Sequence, residues 1–441
     1  MIDKNAKERV VITGMGIVCP LGNDVETLWR AILAGESGVA KTTIFDASTY
    51  PTTFDAEVKN YDFAEYTKSP QLHIHGNRGS KFVIGATVQA CRQAAIDVET
   101  SEPGDGIDRS RLGIYLGAGE GSVDNDAFFA AIVEGWDAET KEMDWGRWAK
   151  VAFGRMNPMH ELEQGPNMPA AHIAMLTGAR GPTRSCLTAC AASTQAVGEA
   201  MMLIRRGDAD VMIAGGTHSM IHPLGAMGFN RLTALSTRND SPQTASRPFT
   251  ASRDGFVLGE GAAILTLESL NSAKKRGVRV LAEVIGYGSS SDAFRVTDMH
   301  EEARGPIQAI RAAIKDAGIS YRDVDYISTH GTSTMENDSV ETMAIKAVFK
   351  EEAKNIPASS VKSVFGHLIG AAGAAELITC VLAIRDKIVP PTMNLNDPDP
   401  ELDLDYVPNE PRKCQVDVAM NESFGFGGQN NVVIIRRYEE E

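Results

Sequence analysis

The chain has 441 residues and a formal net charge of −15, with 43% hydrophobic and 23% charged residues. This is ordinary globular composition with enough apolar content for a large continuous core, and no stretch offers the ~18 consecutive apolar residues of a membrane span. The acidic balance argues against nucleic acid or an anionic membrane surface as a partner.

The N-terminus, MIDKNAKERVVITG, runs directly into a strand at 9–18. It lacks the apolar core and cleavage site of a secretion signal, which places the protein in the cytoplasm. Further strands are expected at 112–117, 183–188, 210–214, 262–268, 280–288, 324–329, 416–421 and 431–436, with helical patterns between them. Such alternation implies a parallel, helix-covered sheet. Residues 122–170, with DAFFAAIVEGWD and WGRWAKVAFGRM, are the least regular stretch and read as a helical insertion. No linker or low-complexity run separates domains. A break near 270, where LESLNSAKKRGVRV leads into a fresh strand, divides 1–270 from 271–441, and the two halves show no obvious internal repeat.

Chemistry enters at Cys190, in TACAAST. The preceding ARGPTRSCLT reads as a strand, and the following AASTQAVGEAMMLIRR carries small and apolar residues at helical spacing. At such a strand-to-helix turn the unpaired amides and the positive end of the helix dipole lower a thiol's pKa and favour thiolate, and the Cys190 amide itself would face an oxyanion formed there. Cys186 lies four residues earlier, a spacing that can signal metal or redox chemistry, but the junction between the two carries their side chains in different directions. The cysteines other than Cys190 read as buried reduced thiols. The glycine-rich GFGG at 425–428 is either a tight turn between strands or a bend that brings the Phe426 amide to the same oxyanion. A lone histidine is more often structural than catalytic, and His73, His75, His160, His172, His218, His222 and His300 are read that way. His330 opens HGTSTMENDSVE, and Lys362 and His367 share VKSVFGHLIGAAGAAE.

These four motifs, in this order and over most of the chain, resemble those of the beta-ketoacyl-acyl-carrier-protein synthases, most closely the type II elongating enzymes. Supporting blocks lie between them: VVITGMGIVCPLG, GDADVMIAGGTHSM and LSTRNDSPQTASRPFTASRDGFVLGEGAA. The resemblance implies an α/β, thiolase-like fold, two pseudo-repeated halves stacked as five α-β-α-β-α layers, and a homodimer. It implies an acyltransferase that condenses malonyl-acyl-carrier-protein, with loss of carbon dioxide, onto an acyl primer held on Cys190. His330 and His367 would then be neutral N–H donors to the enolate, and the Phe426 amide the second oxyanion donor. Lys362 would orient and bias the histidines, held by acids that include Glu341 on a helix beginning near Asp338. Thr332 and Thr334 match positions that bind the phosphopantetheine arm, with Thr297 assisting, and Phe229 and Phe424 match aromatics around the acyl pocket. No metal and no resident cofactor is implied, since phosphopantetheine arrives on the carrier protein.

Carrier proteins of this family are acidic, so an acidic enzyme needs a local basic patch at its tunnel mouth. The candidates are Lys68, Arg78, Lys81, Arg205, Arg206 and Arg231. The chain departs from the family pattern in three places. Where relatives commonly show an apolar residue in an SGIGG-like turn, this chain reads AGEGS, with Glu120 in the slot. A carboxylate beside a hydrocarbon tunnel is expensive, so Glu120 either turns to the dimer interface or marks an unusual or short acyl chain. In FNRLTALS, Thr233 replaces an arginine that relatives often place before ALS, and Arg231 lies two residues earlier, which implies a rearranged carrier patch. The 122–170 region is longer than in the bacterial enzymes by roughly twenty residues. The insertion and Glu120 favour, as an alternative, a ketosynthase of a polyketide or specialised lipid pathway. A non-catalytic, tunnel-shaping partner subunit is opposed by the intact Cys190 and histidines. A degradative thiolase would need a second cysteine near the C-terminus, where this chain has SFGFGG.

Overall fold

The computed structural model describes residues 8–119, 121 and 124–440. Five strands of the first half, β1 (Val10–Val18), β2 (Leu112–Ala118), β3 (Thr183–Cys186), β4 (Val211–His218) and β5 (Gly261–Ser269), stand in the order β1-β5-β4-β2-β3. Five of the second half, β6 (Ala282–Ser291), β7 (Tyr326–Ser328), β8 (Ala358–Ser359), β9 (Val418–Gly425) and β10 (Gln429–Arg436), stand in the order β6-β10-β9-β7-β8. In each half the first, fifth and fourth strands pair antiparallel, and the fourth, second and third pair parallel. The second half therefore repeats the first strand for strand. The duplication survives in topology although no repeat is visible in the residues.

The expectation of a parallel sheet is corrected: each half is mixed. Alternating strands and helices do not reveal strand direction, which the connections decide. The connection from β9 to β10 is the GFGG segment, a hairpin with Gly425 opposite Gln429 and with Gly427 and Gly428 at φ +89° and +72°. A hairpin forces antiparallel pairing, and those two φ values are reached cheaply only by glycine. β1 and β6 also pair antiparallel, through Val10–Ile12 and Ala282–Val284, and join the halves edge to edge.

Among the helices of the described residues are α1 (Arg78–Gln93), α2 (Asn125–Gly135), α3 (Trp145–Arg155), α4 (Met168–Thr177), α5 (Ala192–Arg205), α6 (Pro223–Arg231), α7 (Arg304–Ala317), α8 (Met335–Phe349) and α9 (Ala372–Asp386). α5 and α9 pack on each other and touch strands of both halves, α1 covers β1 and β5 from outside, and α7 covers β6 and β10. The layers are thus helix, sheet, helix pair, sheet, helix. Sequence explains the central pair. Every residue of α9 from Ala372 to Ile384 is buried, and apart from Glu376 and Thr379 these are apolar or small, as in a helix that has no solvent face. In α5 a Cβ at Gly198 would collide with the ring of Tyr287 on β6, so glycine is what lets this helix seat against the second sheet. The outer helices are one-sided: α7 buries Ala309, Ile310 and Ala313 and keeps Arg304, Arg311 and Lys315 exposed.

Two local expectations need comment. The helix carrying Glu341 begins at Met335, three residues before Asp338, because the Thr334 side chain accepts the N–H of Asn337 and caps it there. The irregular stretch is helical, as expected, in α2, α3, the short helix Pro158–Leu162 and the start of α4, but a small hairpin of Trp136–Asp137 with Glu142–Met143 interrupts it. Among the described residues no helix is long and apolar enough to cross a membrane.

Candidate active site

Cys190 follows β3 in a single tight turn, Ala189–Ala191, that leads into α5. Ala189 stands at φ +47°, a left-handed conformation that costs a non-glycine residue about 1–2 kcal/mol. The same elbow recurs in the second half, where Ile369, also at φ +47°, opens the turn Ile369–Ala371 into α9. Pseudo-symmetry thus sets two strained elbows beside each other. The first presents Cys190, and the second follows His367 directly.

The thiol is buried, with Sγ 2.9 Å from His367 Nε2. The N–H groups of Phe426 and of Cys190 itself also bear on Sγ. Phe426 gets there because Gly425 passes close to the elbow: a Cβ on it would lie 3.0 Å from the Thr188 carbonyl oxygen and 3.4 Å from the Cys190 nitrogen. GFGG is therefore both a hairpin and an amide donor, so the two readings of that motif are one.

Both histidines are held in a single tautomer. His367 Nδ1 accepts the N–H of Ile369 at 3.2 Å, which leaves its proton on Nε2 facing Sγ. His330 Nδ1 lies 3.3 Å from the Lys362 ammonium, which likewise leaves its proton on Nε2. Burial first, and the charge of Lys362 second, hold both imidazoles well below the usual histidine pKa, so both are neutral near pH 7. The ring planes cross at 80° with centroids 5.4 Å apart, and ligand-type atoms of Cys190, His330 and His367 all lie within 4.8 Å of one another.

The expectation that the helix dipole yields a resting thiolate is corrected. Burial pushes the Cys190 thiol up to about 11, against the opposing pull of Lys362 and the two amides. A thiol beside a neutral imidazole results, not an ion pair. Iodoacetamide labelling of Cys190 should therefore rise about tenfold per pH unit from pH 7 to 10, following the thiolate fraction. A rate already level at pH 7 would show an ion pair instead.

Lys362 is 1% exposed and donates to the His330 carbonyl oxygen at 2.6 Å. Its acid is not Glu341 but Glu376 on α9, with which it forms a buried ion pair. Glu341 instead accepts the N–H groups of His330 (2.6 Å) and Gly331 (2.8 Å), bracing the HGTST loop from beneath. Burial raises the carboxyl pKa of Glu341 and of its neighbour Glu422. Glu376 was legible in principle, as the one charged residue among the small residues of GAAGAAE, but its pairing depends on where α9 packs. Glu376→Ala would leave Lys362 buried without its counter-charge, and urea unfolding should show a loss of about 3–5 kcal/mol. A loss under 1 kcal/mol would mean that water reaches the lysine.

A pocket of about 560 Å3 opens over these groups. Phe229, Phe424, Thr332, Thr334 and Thr297 all line it, and so does His218, against the expectation of a structural histidine. Phe229 meets Phe256 edge-on, Phe256 meets His367 edge-on, and Phe424 meets His330 at 6.0 Å. The Thr332 and Thr334 hydroxyls are 2.9 Å apart, while the exposed Thr297 bonds Asp298. Glu120 lies outside the described residues.

The basic-patch expectation is partly corrected. Arg78 is bound to the buried Glu260 at 2.6 Å, Arg205 to Asp316 at 2.7 Å, and Lys81 stands over the ring of Phe63. These are structural cations. Arg206 pairs with Asp208, Lys68 is exposed, and Arg231 is exposed at the end of α6, next to the pocket residues Leu232 and Thr233.

The duplicated five-layer architecture, with a cysteine and two histidines meeting between its halves, is a thiolase-like fold. Residues 7–273 match the family described as beta-ketoacyl synthase, N-terminal domain, and residues 281–396 match its C-terminal domain. The chain belongs to the beta-ketoacyl synthase family. It is 42% identical over 438 residues to 3-oxoacyl-(acyl-carrier-protein) synthase 2 of Coxiella burnetii, covering 98% of this chain and 99% of that one. Among solved structures, a beta-ketoacyl synthase from Burkholderia phymatum STM815 superposes with a TM-score of 0.86 at 31% identity, covering 98% of this chain and all of that one. A chain from a complex of a type II PKS acyl-carrier protein with its ketosynthase bound to the hexaketide superposes at 0.84 with 32% identity, over 98% of this chain and all of that one.

Proposed function

We propose that the protein catalyses the decarboxylative Claisen condensation of malonyl-acyl-carrier-protein with an acyl primer held on Cys190, giving beta-ketoacyl-acyl-carrier-protein in fatty acid elongation. The observation that carries this reading is the convergence on Sγ of two neutral histidines, each presenting Nε2–H. In the first step the Cys190 sulfur attacks the primer thioester, the Cys190 and Phe426 amides hold the tetrahedral oxyanion, and the carrier thiol leaves with the thiol proton. In the second, malonyl thioester binds and its carbon–carboxylate bond breaks. Carbon dioxide departs, and the electron pair becomes an enolate whose oxygen accepts from His330 and His367. The enolate carbon then attacks the acyl-cysteine carbonyl, the carbon–sulfur bond breaks, and the thiolate that leaves takes up one proton from solvent to regenerate the Cys190 thiol.

Neutral donors suit this chemistry, because an imidazolium would protonate the enolate instead of sharing it. Lys362 biases both rings towards neutrality and, held by Glu376, fixes where His330 stands. Thr332 and Thr334 hydrogen-bond the phosphopantetheine arm with Thr297 near the mouth, and Phe229 and Phe424 contact the acyl chain. We take 1–270 as the half that supplies the nucleophile and 271–441 as the half that supplies both histidines, so neither half holds a complete site. The phosphopantetheine thioester arrives on the carrier protein, which docks near Arg231, and the enzyme works in the cytoplasm. The 42% identity over nearly the full chain to a 3-oxoacyl-(acyl-carrier-protein) synthase 2 supports fatty acid elongation over the polyketide alternative.

Intact-mass spectrometry after incubation with a panel of acyl-carrier thioesters tests this. An acyl adduct that is discharged by malonyl-carrier to give beta-ketoacyl-carrier is expected. A protein unmodified across the panel would overturn the reading.

The working unit is a homodimer. Support comes from apolar surface on and near the insertion, where Phe153 is 97% and Trp145 68% exposed, and from the open edge of β3, whose first two residues are exposed. Sedimentation should give close to twice the 47.4 kDa of one chain, and a stable active monomer would contradict it.

A further inference from the structure

His218 closes β4 as an imidazole only 6% exposed. One side of it lines the large pocket, and the other lines a second cavity of about 10 Å3 with Asn77, Gly121 and Ser219. Among the described residues, only Ala118, Gly119 and His218 border both spaces. Two of these have almost no side chain. The imidazole is therefore what divides the pocket from the space beyond, which has room for about one water-sized group.

The ring is fixed in place. His218 Nδ1 accepts the N–H of Gly370 at 3.3 Å, and Gly370 belongs to the strained elbow that Ile369 opens at φ +47°. At Nε2 the ring lies flush against Gly119, where an added Cβ would overlap the nitrogen. Gly119 does not stand at positive φ, so close approach and not backbone conformation is what requires glycine there. A ring hydrogen-bonded to Gly370 and backed closely by Gly119 acts as a wall and not as a flap.

We infer that His218 is a specificity-determining residue, setting the longest acyl chain the pocket accepts by standing between it and the space beyond. The inference rests on the reading of Cys190 as the acyl acceptor. Removing the imidazole joins the two spaces, whereas adding a methyl at Gly119 drives the ring into the pocket, so the two changes shift chain length in opposite directions.

The test is intact-mass spectrometry of acyl-enzyme formation on wild-type protein and three variants, using saturated acyl-carrier thioesters of graded length. His218→Ala should raise the ratio of long to short primers loaded by about tenfold or more, the scale of one or two methylenes in an apolar pocket. Gly119→Ala should lower that ratio, and His218→Leu, close to histidine in volume, should keep the wild-type limit. If His218→Ala proves unfolded by circular dichroism, Gly119→Ala still decides, since an unchanged profile there overturns the inference. Unchanged profiles in both variants, or shifts in the same direction, also overturn it. Wild-type protein that loads no primer at all would sink the Cys190 reading, a result distinct from wild-type loading with unaltered variants.

Discussion

Cys190→Ala is expected to abolish acyl-enzyme formation and to lower the condensation rate by about 10⁴-fold or more, the scale on which enzymes lose activity with their nucleophile. The ground is geometric. Cys190 is the thiol at the elbow, under two amides and 2.9 Å from an imidazole, whereas Cys186 donates its S–H to the Ala192 carbonyl oxygen and takes no part in the site. Cys186→Ala should therefore load acyl groups as wild type does. Intact mass after incubation with acyl-carrier thioester reads both outcomes, and acyl mass persisting on the Cys190 variant would refute the assignment.

The second large effect belongs to the histidines. Losing one of two preorganised donors to a developing oxyanion costs about 10²–10³ in rate, so His330→Ala and His367→Ala should each suppress carbon dioxide release from malonyl-carrier by that amount. Their effects on self-acylation should differ. His367 Nε2 contacts the cysteine sulfur, while His330 contacts Lys362 and stands beside His367, so acylation should slow more in the His367 variant. Carbon dioxide trapping on one sample and intact mass on another separate the two steps. Decarboxylation unchanged in both single variants would remove the histidines from this role.

The residues proposed to carry this chemistry can be picked out without coordinates because their types and spacings are themselves the constraint. A cysteine between a strand and a small-residue helix, two histidines in separate motifs and a glycine hairpin name the parts, and the residue-by-residue resemblance supplies their roles. The strand positions were readable for a similar reason: buried strands are short runs of β-branched and apolar residues, such as VVITGMGIV, whatever they pair with.

Tertiary structure alone decided which groups meet, because pairing between residues far apart in the chain depends on how layers stack. Lys362 found Glu376 and not Glu341, since α9 lies between the sheets while α8 runs beneath the HGTST loop. Duplication left no repeat in the residues, because many sequences satisfy one strand order; only the family resemblance implied it, and the matched pairings display it. The protonation state of Cys190 was misjudged from local geometry, since burial at the junction of two halves outweighs a helix dipole and only packing sets burial. His218 shows the same limit. Its letter says imidazole, but its place against Gly119 and Gly370 makes it a pocket wall, and that placement is a property of three segments brought together by the fold.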